Sequence, residues 1–230
     1  MLYIYHHLGL GDHFICNGLV REIIKKNEFD TYILFVKNRN YVTIKNMYLD
    51  IKNLDFYIVD DNNGDVEIRN MLEHNKNNIV VGYFANFWGS NFSKTMDENF
   101  YKQANVSHDC RWTSFKINRN LDNEQKLYDK YNITSEYIFI HDDDDRKIKT
   151  FRKDLQIIKP INNITDNVLD YMKIIENATE IHCIDSSFKS LIESIDVNGK
   201  LFFHQYASQV YKLYKGEWGL PLIKKNWIIL

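Results

Sequence analysis

Two prolines and nine glycines among 230 residues exclude a collagen-like repeat or a low-complexity chain. Three cysteines, Cys16, Cys110 and Cys183, are odd in number and widely spaced. They fit neither a disulfide framework nor a zinc cluster and read as reduced core residues. Neither sign of charge dominates, since 29 Lys and Arg stand against 31 Asp and Glu for a net −2. No overall positive field exists to hold a nucleic-acid backbone, so any anionic ligand must be met locally. Long apolar runs are missing too: Ile138 to Ile140 and Ile228 to Leu230 fall far short of the ~18 residues of a membrane-crossing helix, so no membrane span is expected. Met1 to His7 has no basic n-region, which predicts no signal peptide and a cytoplasmic location.

What is present is ordinary globular material, with 44% apolar and 26% charged residues, enough for a sizeable core. At ~150 residues per domain the chain holds one to two domains. Asparagine occurs 26 times, and with abundant Ile, Lys and Tyr this points to an AT-rich genome. Chance then accounts for the five Asn-x-Ser/Thr triplets beginning at Asn91, Asn105, Asn132, Asn163 and Asn177.

Strand-like and helix-like segments alternate. Leu2 to Tyr5 is a short apolar run ended by a glycine turn, after which Phe14, Ile15, Leu19, Ile23 and Ile24 recur at helical spacing. Strands follow at Tyr32 to Val36, Asp55 to Val59 and Ile79 to Tyr83, with helices over Tyr41 to Leu49 and Val66 to Glu73 between them. The stretch from Phe84 to Lys130, with Phe87, Trp88, Phe92, Phe100, Tyr101, Trp112 and Phe115 on a polar background, reads as an aromatic connector. Alternation resumes with strands at Tyr137 to Ile140, Leu155 to Ile158, Glu180 to Ile184 and Lys200 to His204, and helices over Val168 to Asn177 and Phe188 to Ile195. Strands separated by helices imply parallel βαβ units. The expectation is α/β: two small Rossmann-like domains, 1–112 and 113–230, facing each other across a cleft.

Two turns carry candidate chemistry. Gly9-Leu10-Gly11-Asp12 lies where a strand ends and a helix opens, the ligand-binding edge of open α/β sheets. Phe14 stands where a dinucleotide fingerprint needs its third glycine, and no Gly-Lys-Ser/Thr follows for a P-loop. Asp12 is then a helix cap, a general base, or both, with His6, His7 and His13 nearby in sequence. In the second half Asp185-Ser186-Ser187-Phe188 ends a strand and opens a helix, offering hydroxyls and N–H groups to an anion or simply capping the helix. His141 at a strand end is a cleft residue or a structural one. Asp142 to Asp145 read as a solvated turn in preference to a divalent-cation site, because consecutive loop residues seldom converge on one centre. Arg146, Lys149 and Arg152 are candidate cations for a phosphate, or a charged helix face.

His7-Leu8-Gly9-Leu10-Gly11-Asp12 followed by Asn17-Gly18-Leu19-Val20-Arg21 resembles the opening of the heptosyltransferase-like glycosyltransferases of family 9. Ile174 to Ala178, the strand Ile181 to Ile184 and Asp185-Ser186-Ser187 resemble that group's carboxyl-terminal helix, strand and Asp-Ser/Thr-Gly loop. Both patterns are also similar to fucosyltransferase-like enzymes of the GT-B fold. The chain departs from the family at Ser187, which replaces a glycine, and at Lys189 or Ser190, where a histidine is usual.

The resemblance implies a compact GT-B enzyme. Its amino-terminal domain would meet a glycan or glycoconjugate acceptor through Gly9, Gly11 and His13, with Asp12 as base and His7 beside it. Its carboxyl-terminal domain would hold a nucleoside-diphosphate sugar through His141, Arg146, Arg152, Asp185, Ser186, Ser187 and Phe188. No metal and no separate cofactor are expected, the sugar nucleotide being the donor substrate. A nucleotide-sugar epimerase or hydrolase on the same fold, or a noncatalytic nucleotide-binding module, are the alternatives.

Overall fold

The computed structural model describes residues 1–62, 64–82, 95–149, 152, 154–207 and 220–230. Two compact units divide the chain, Met1–Asn118 and Arg119–Leu230. The division falls after Asn118, beyond the 112/113 boundary read from the sequence. Lys116 explains the difference: its N–H donates to Asn17 Oδ1 (2.9 Å) while its carbonyl accepts from Asn17 Nδ2 (3.0 Å) and Arg21 Nη2 (2.9 Å). Asn118 adds a bond to Asp50 (2.9 Å).

The first unit is a four-stranded parallel sheet in the order β3-β2-β1-β4, from β1 (Leu2–Tyr5), β2 (Tyr32–Lys37), β3 (Leu54–Val59) and β4 (Asn78–Val80). Ile4 lies opposite Leu34 on one side and Ile79 on the other, so β1 is central and apolar on both faces, as covered parallel strands require. Helices α1 (Leu10–Ile15), α2 (Asn17–Lys26), α3 (Tyr41–Met47) and α4 (Gly64–His74) connect these strands, and Tyr5, Leu8, Phe35, Val59 and Ile68 form a buried cluster. The expected aromatic connector contains α5 (Met96–Gln103), α6 (Cys110–Thr113) and, in the second unit, α7 (Leu121–Lys130). Phe100 and Tyr101 are buried core; Phe87, Trp88 and Phe92 lie outside the described residues, as does Tyr83.

The helix expected after the glycine turn is broken into α1 and α2. Across the break the Tyr101 hydroxyl donates to the Ile15 carbonyl (2.9 Å) and accepts from the Leu19 N–H (3.0 Å), the two groups that would pair with each other in a continuous helix. Gly18 permits the neighbouring contact, because a Cβ there would sit 1.9 Å from the Cys110 carbonyl oxygen of α6. Asn17, Gly18 and Arg21 thus serve packing. Arg21 pairs with Asp50 (3.0 Å) and caps the end of α3 through the Met47 carbonyl (3.1 Å).

The second unit is a five-stranded parallel sheet in the order β6-β5-β7-β8-β9, built from β5 (Tyr137–His141), β6 (Gln156–Ile158), β7 (Glu180–Cys183), β8 (Lys200–Phe203) and β9 (Trp227–Ile229). The segment predicted as one helix from Val168 begins with a 3₁₀ turn (Val168–Tyr171) capped by Asn167, whose side chain accepts from the Leu169 N–H, and continues as α8 (Met172–Glu176). Helix α9 runs Ser187–Ile192. Ile138, Ile140, Ile148, Ile184 and Ala207 share a buried cluster that ties the loop after β5 to the ends of β7 and β8. Of the cysteines, Cys16 and Cys183 are buried and none forms a disulfide.

Candidate functional site

Both turns singled out in the sequence lie at switch points of strand order. In the first sheet the chain moves from β1 to β2 and β3 on one side, then returns to place β4 on the other. In the second, β6 lies on one side of β5 and β7 on the other. At such points the connections leave in opposite directions and open a crevice at the carboxyl ends of the strands, where ligands of doubly wound sheets bind. Gly9 to Asp12 follows β1, and Asp185 to Phe188 follows β7 beside His141 at the end of β5.

In the first unit Gly9 is the N-cap of α1, and Asp12 is the third helical residue. The reading of Asp12 as an N-cap is therefore corrected: it joins the first turn, where a carboxylate is favoured by the helix dipole. Its carboxylate folds back over Gly9, with Oδ2 only 2.6 Å from where a Gly9 Cβ would stand. Asp12 and Gly11 are partly exposed.

The histidines divide by burial. His7 is half-buried, its ring against Gly82 after β4 and 4.8 Å from the Phe100 ring. Gly82 is required there, since its φ is +88° and a Cβ would meet the His7 ring at 2.6 Å. His6 and His13 are fully buried with ring centroids 4.4 Å apart. His6 Nδ1 donates to the His7 carbonyl (2.7 Å), and burial pushes its pKa down to about 4. His13 is held well below the usual histidine range by the same desolvation. Neutral rings under the turn support it; Asp12 and His7 are the side chains that reach its surface.

Sequence reasoning missed a buried ion cluster in this unit. Asp97 of α5, fully buried, pairs with Arg111 of α6 and accepts from His108 Nε2 at 2.6 Å. The Arg111 guanidinium also lies 4.7 Å from the Trp112 ring centre. Nothing in the spacing of these residues marks them, because the pairing is made by the packing of α5 on α6.

In the second unit Ser186 is the extended N-cap of α9, its hydroxyl accepting from the Lys189 N–H at 3.4 Å. Asp185, Ser186 and Ser187 are partly exposed, and Phe188 is buried against the His141 ring, 4.5 Å away. Burial lowers the His141 pKa to about 4. Arg146 reaches this loop: Nη1 donates to the Asp185 carbonyl (3.0 Å), while Asp143 holds its Nε at 2.8 Å. Lys189 is buried, with Nζ 4.4 Å from the Phe203 ring centre.

Arg152 is not brought to this loop. It pairs with Asp154 and with Glu180 (3.2 Å), at the amino end of β7, the opposite edge of the sheet. The acidic run is only partly the solvated turn expected. Asp142 is nearly buried and accepts from the Ile148 N–H (2.9 Å) and Lys159 Nζ (2.7 Å), whereas Asp144 is exposed. Among the described residues no group of three His, Cys, Asp or Glu side chains is placed to hold a metal ion, and no helix is long and apolar enough to cross a membrane.

The chain is similar to a glycosyl transferase of family 9. That protein, from Veillonella parvula DSM 2008, has a crystal structure that matches at a TM-score of 0.59 and 10% identity, covering 100% of this chain and 86% of that one. At this identity the likeness shows the fold alone, a pair of Rossmann-like α/β units of the GT-B kind. No protein-family model matches the sequence, and no curated protein does so.

Proposed function

We propose that the chain is a metal-independent glycosyltransferase that moves a sugar from a nucleoside-diphosphate sugar to a hydroxyl of a glycan or glycoconjugate. One observation carries the reading: in a chain with the fold of a family 9 glycosyl transferase, both turns that resemble that family's motifs stand at the switch points of their sheets. Asp12 is the general base. Its carboxylate stands at the crevice edge and takes the proton of the acceptor hydroxyl as that oxygen attacks the anomeric carbon. His7 lines the same crevice.

The Asp185 to Phe188 loop holds the donor diphosphate. The Ser186 and Ser187 hydroxyls and the backbone N–H groups, with Arg146 docked on the loop, place positive charge where the leaving diphosphate gains negative charge. His141 and Phe188 form the wall beside it. Arg152, held at the other edge of the sheet, has no part in this reading. Because these groups neutralise the diphosphate, a chelator leaves activity intact.

A thermal-shift panel of GDP, UDP, ADP, CMP and dTDP identifies the nucleotide, since a ligand that binds only the folded state raises the melting temperature. With that donor, Asp12→Asn lowers turnover by roughly 10²–10⁴-fold while nucleotide affinity and melting temperature stay near wild type. Ser187→Ala instead weakens the nucleotide by about 1 kcal/mol. Full transfer by Asp12→Asn would remove Asp12 as the base. Donor breakdown without an acceptor would indicate a hydrolase or epimerase.

A further inference from the structure

The second unit contains a chain of hydrogen bonds that the proposed transfer does not use. Glu180 and His182 share one face of β7, two residues apart, and Glu180 Oε2 lies 3.3 Å from His182 Nε2. His182 Nδ1 is 3.0 Å from His204 Nε2, and His204 Nδ1 is 3.2 Å from the Tyr206 hydroxyl. Glu180, His182 and His204 are buried, while Tyr206 is 45% exposed. The His182 ring is stacked on Phe202 at 4.4 Å and 7°, which fixes its plane. Tyr206 and His204 open into a pocket of about 420 Å³ whose other walls, among the described residues, are Lys147, Lys149 and Leu230.

The carboxylate at one end decides the direction of every bond. Burial keeps both rings neutral at pH 7, the His204 pKa lying at about 4, so each carries one N–H. The Glu180 carboxylate, whose other oxygen accepts from Arg152 Nη1 (3.2 Å), accepts from His182, which puts the His182 proton on Nε2 and leaves Nδ1 as an acceptor. His204 must then donate through Nε2 and accept at Nδ1. Tyr206 is left to donate its O–H to His204, and its oxygen turns only lone pairs toward the pocket.

We propose that Glu180, acting through His182 and His204, sets Tyr206 as a hydrogen-bond acceptor in a cationic pocket, and that this pocket takes an anionic ligand with an adjacent O–H donor, such as a sugar phosphate. Lys149 meets the anion together with Lys147, whose ammonium is shared with the exposed Asp144 carboxylate (2.7 Å). Tyr206 reads the hydroxyl. Glu180, His182 and His204 are positioning residues, touching no ligand.

Replacing the carboxylate by an amide reverses the chain. In Glu180→Gln the amide oxygen stays with Arg152 Nη1, which donates to the other carboxylate oxygen in the wild type (3.2 Å), so the NH₂ faces and donates to His182 Nε2, both rings shift their proton to Nδ1, and Tyr206 accepts from His204 and turns its own O–H outward. Long-range ¹H–¹⁵N NMR of the whole protein distinguishes the two ring tautomers. Nε2–H on both His182 and His204 is expected in the wild type, and this measurement needs no variant to fold. Nδ1–H on His204 in the wild type would overturn the proposal.

Ligand probes give the second reading. Ribose 5-phosphate and sulfate both bind at Lys147 and Lys149 and weaken together in a Lys147→Met/Lys149→Met variant. Tyr206→Phe and Glu180→Gln each weaken ribose 5-phosphate about two- to tenfold, the factor of a lost neutral hydrogen bond, and leave sulfate unchanged. Equal effects on both probes, or no binding of ribose 5-phosphate at the pocket, would overturn the ligand class. The assignment is independent of the donor loop, so an inactive Asp12→Asn enzyme gives the same result.

Discussion

Gly9 and Asp12 form one feature at the scale of single residues. Gly9 has φ −66° and ψ 142°, angles open to any amino acid, so the left-handed freedom of glycine is not what the position uses. What it uses is the missing Cβ, because the Asp12 carboxylate occupies that space. In Gly9→Ala the methyl group displaces the flexible end of Asp12 and leaves the backbone where it is. Alanine is the poorer N-cap, but it also lowers the entropy of the unfolded chain, and these effects of about 0.5–1 kcal/mol oppose each other. The melting temperature should therefore change by no more than a few degrees. A catalytic carboxylate moved by about 1 Å loses on the order of 10²-fold in rate. Transfer assays beside calorimetry test this, and a Gly9→Ala enzyme with wild-type turnover would show that the position of the carboxylate does not matter.

Elements show what the sequence could and could not convey. Phe14, Ile15, Leu19, Ile23 and Ile24 recur as in one helix, and by local pattern they are one; the break after Ile15 is made by Tyr101, 82 residues from Leu19. Such an insertion leaves no periodic trace. In Tyr101→Phe the Ile15 carbonyl and Leu19 N–H lose their buried partner, at a cost of about 1–3 kcal/mol, unless α1 and α2 close into one helix and carry Asp12 with them. A lower melting temperature with normal turnover per folded molecule marks the first outcome; a near-wild-type melting temperature with reduced turnover marks the second.

The strands around Ile4, Leu34, Ile138 and Ile181 were legible because parallel strands covered on both faces are continuous apolar runs, and the two turns were legible because glycine, serine and aspartate act within a few residues. Trp227–Ile229 is only three residues long and has no helical segment read before it to complete a βαβ unit, so β9 leaves no clear mark in the sequence. Pairings such as Asp97 with Arg111 and His182 with His204 exist only once helices and strands have packed. Arg152 looked like Arg146 in sequence. Only the register of β6 on β5 places it at the other edge of the sheet.

For the molecule as a whole, buried neutral histidines set the response to acid. His6 and His13 lie in the first unit, and His141, His182 and His204 in the second; burial lowers the pKa of each. Their usual value is 6.5, and His6, His141 and His204 fall to about 4. Between those limits the unfolded chain binds protons that the folded chain refuses, so stability levels off only about one pH unit above 6.5 and falls as pH drops toward 4. Each such histidine contributes roughly 1.4 kcal/mol per pH unit across that window. Asp50 behaves differently: burial works against it, but hydrogen bonds from Arg21, Lys116 and Asn118 hold its carboxyl well below the usual range. Its contribution is present above the unfolded carboxylate pKa and is lost only at lower pH, after the histidines have acted. Calorimetry at pH 7.5, 6.5, 5.5 and 4.5 should therefore show a smaller loss over the first step than over each of the later ones in every unfolding transition, since both units carry such histidines. His13→Leu removes one proton-binding group from the unfolded first unit without leaving a buried polar atom, so the slope between pH 6.5 and 4.5 should decrease while the histidines of the second unit keep theirs. A melting temperature that stays level down to pH 4.5 would mean that these rings accept their protons in the folded state, with water or a carboxylate reaching them.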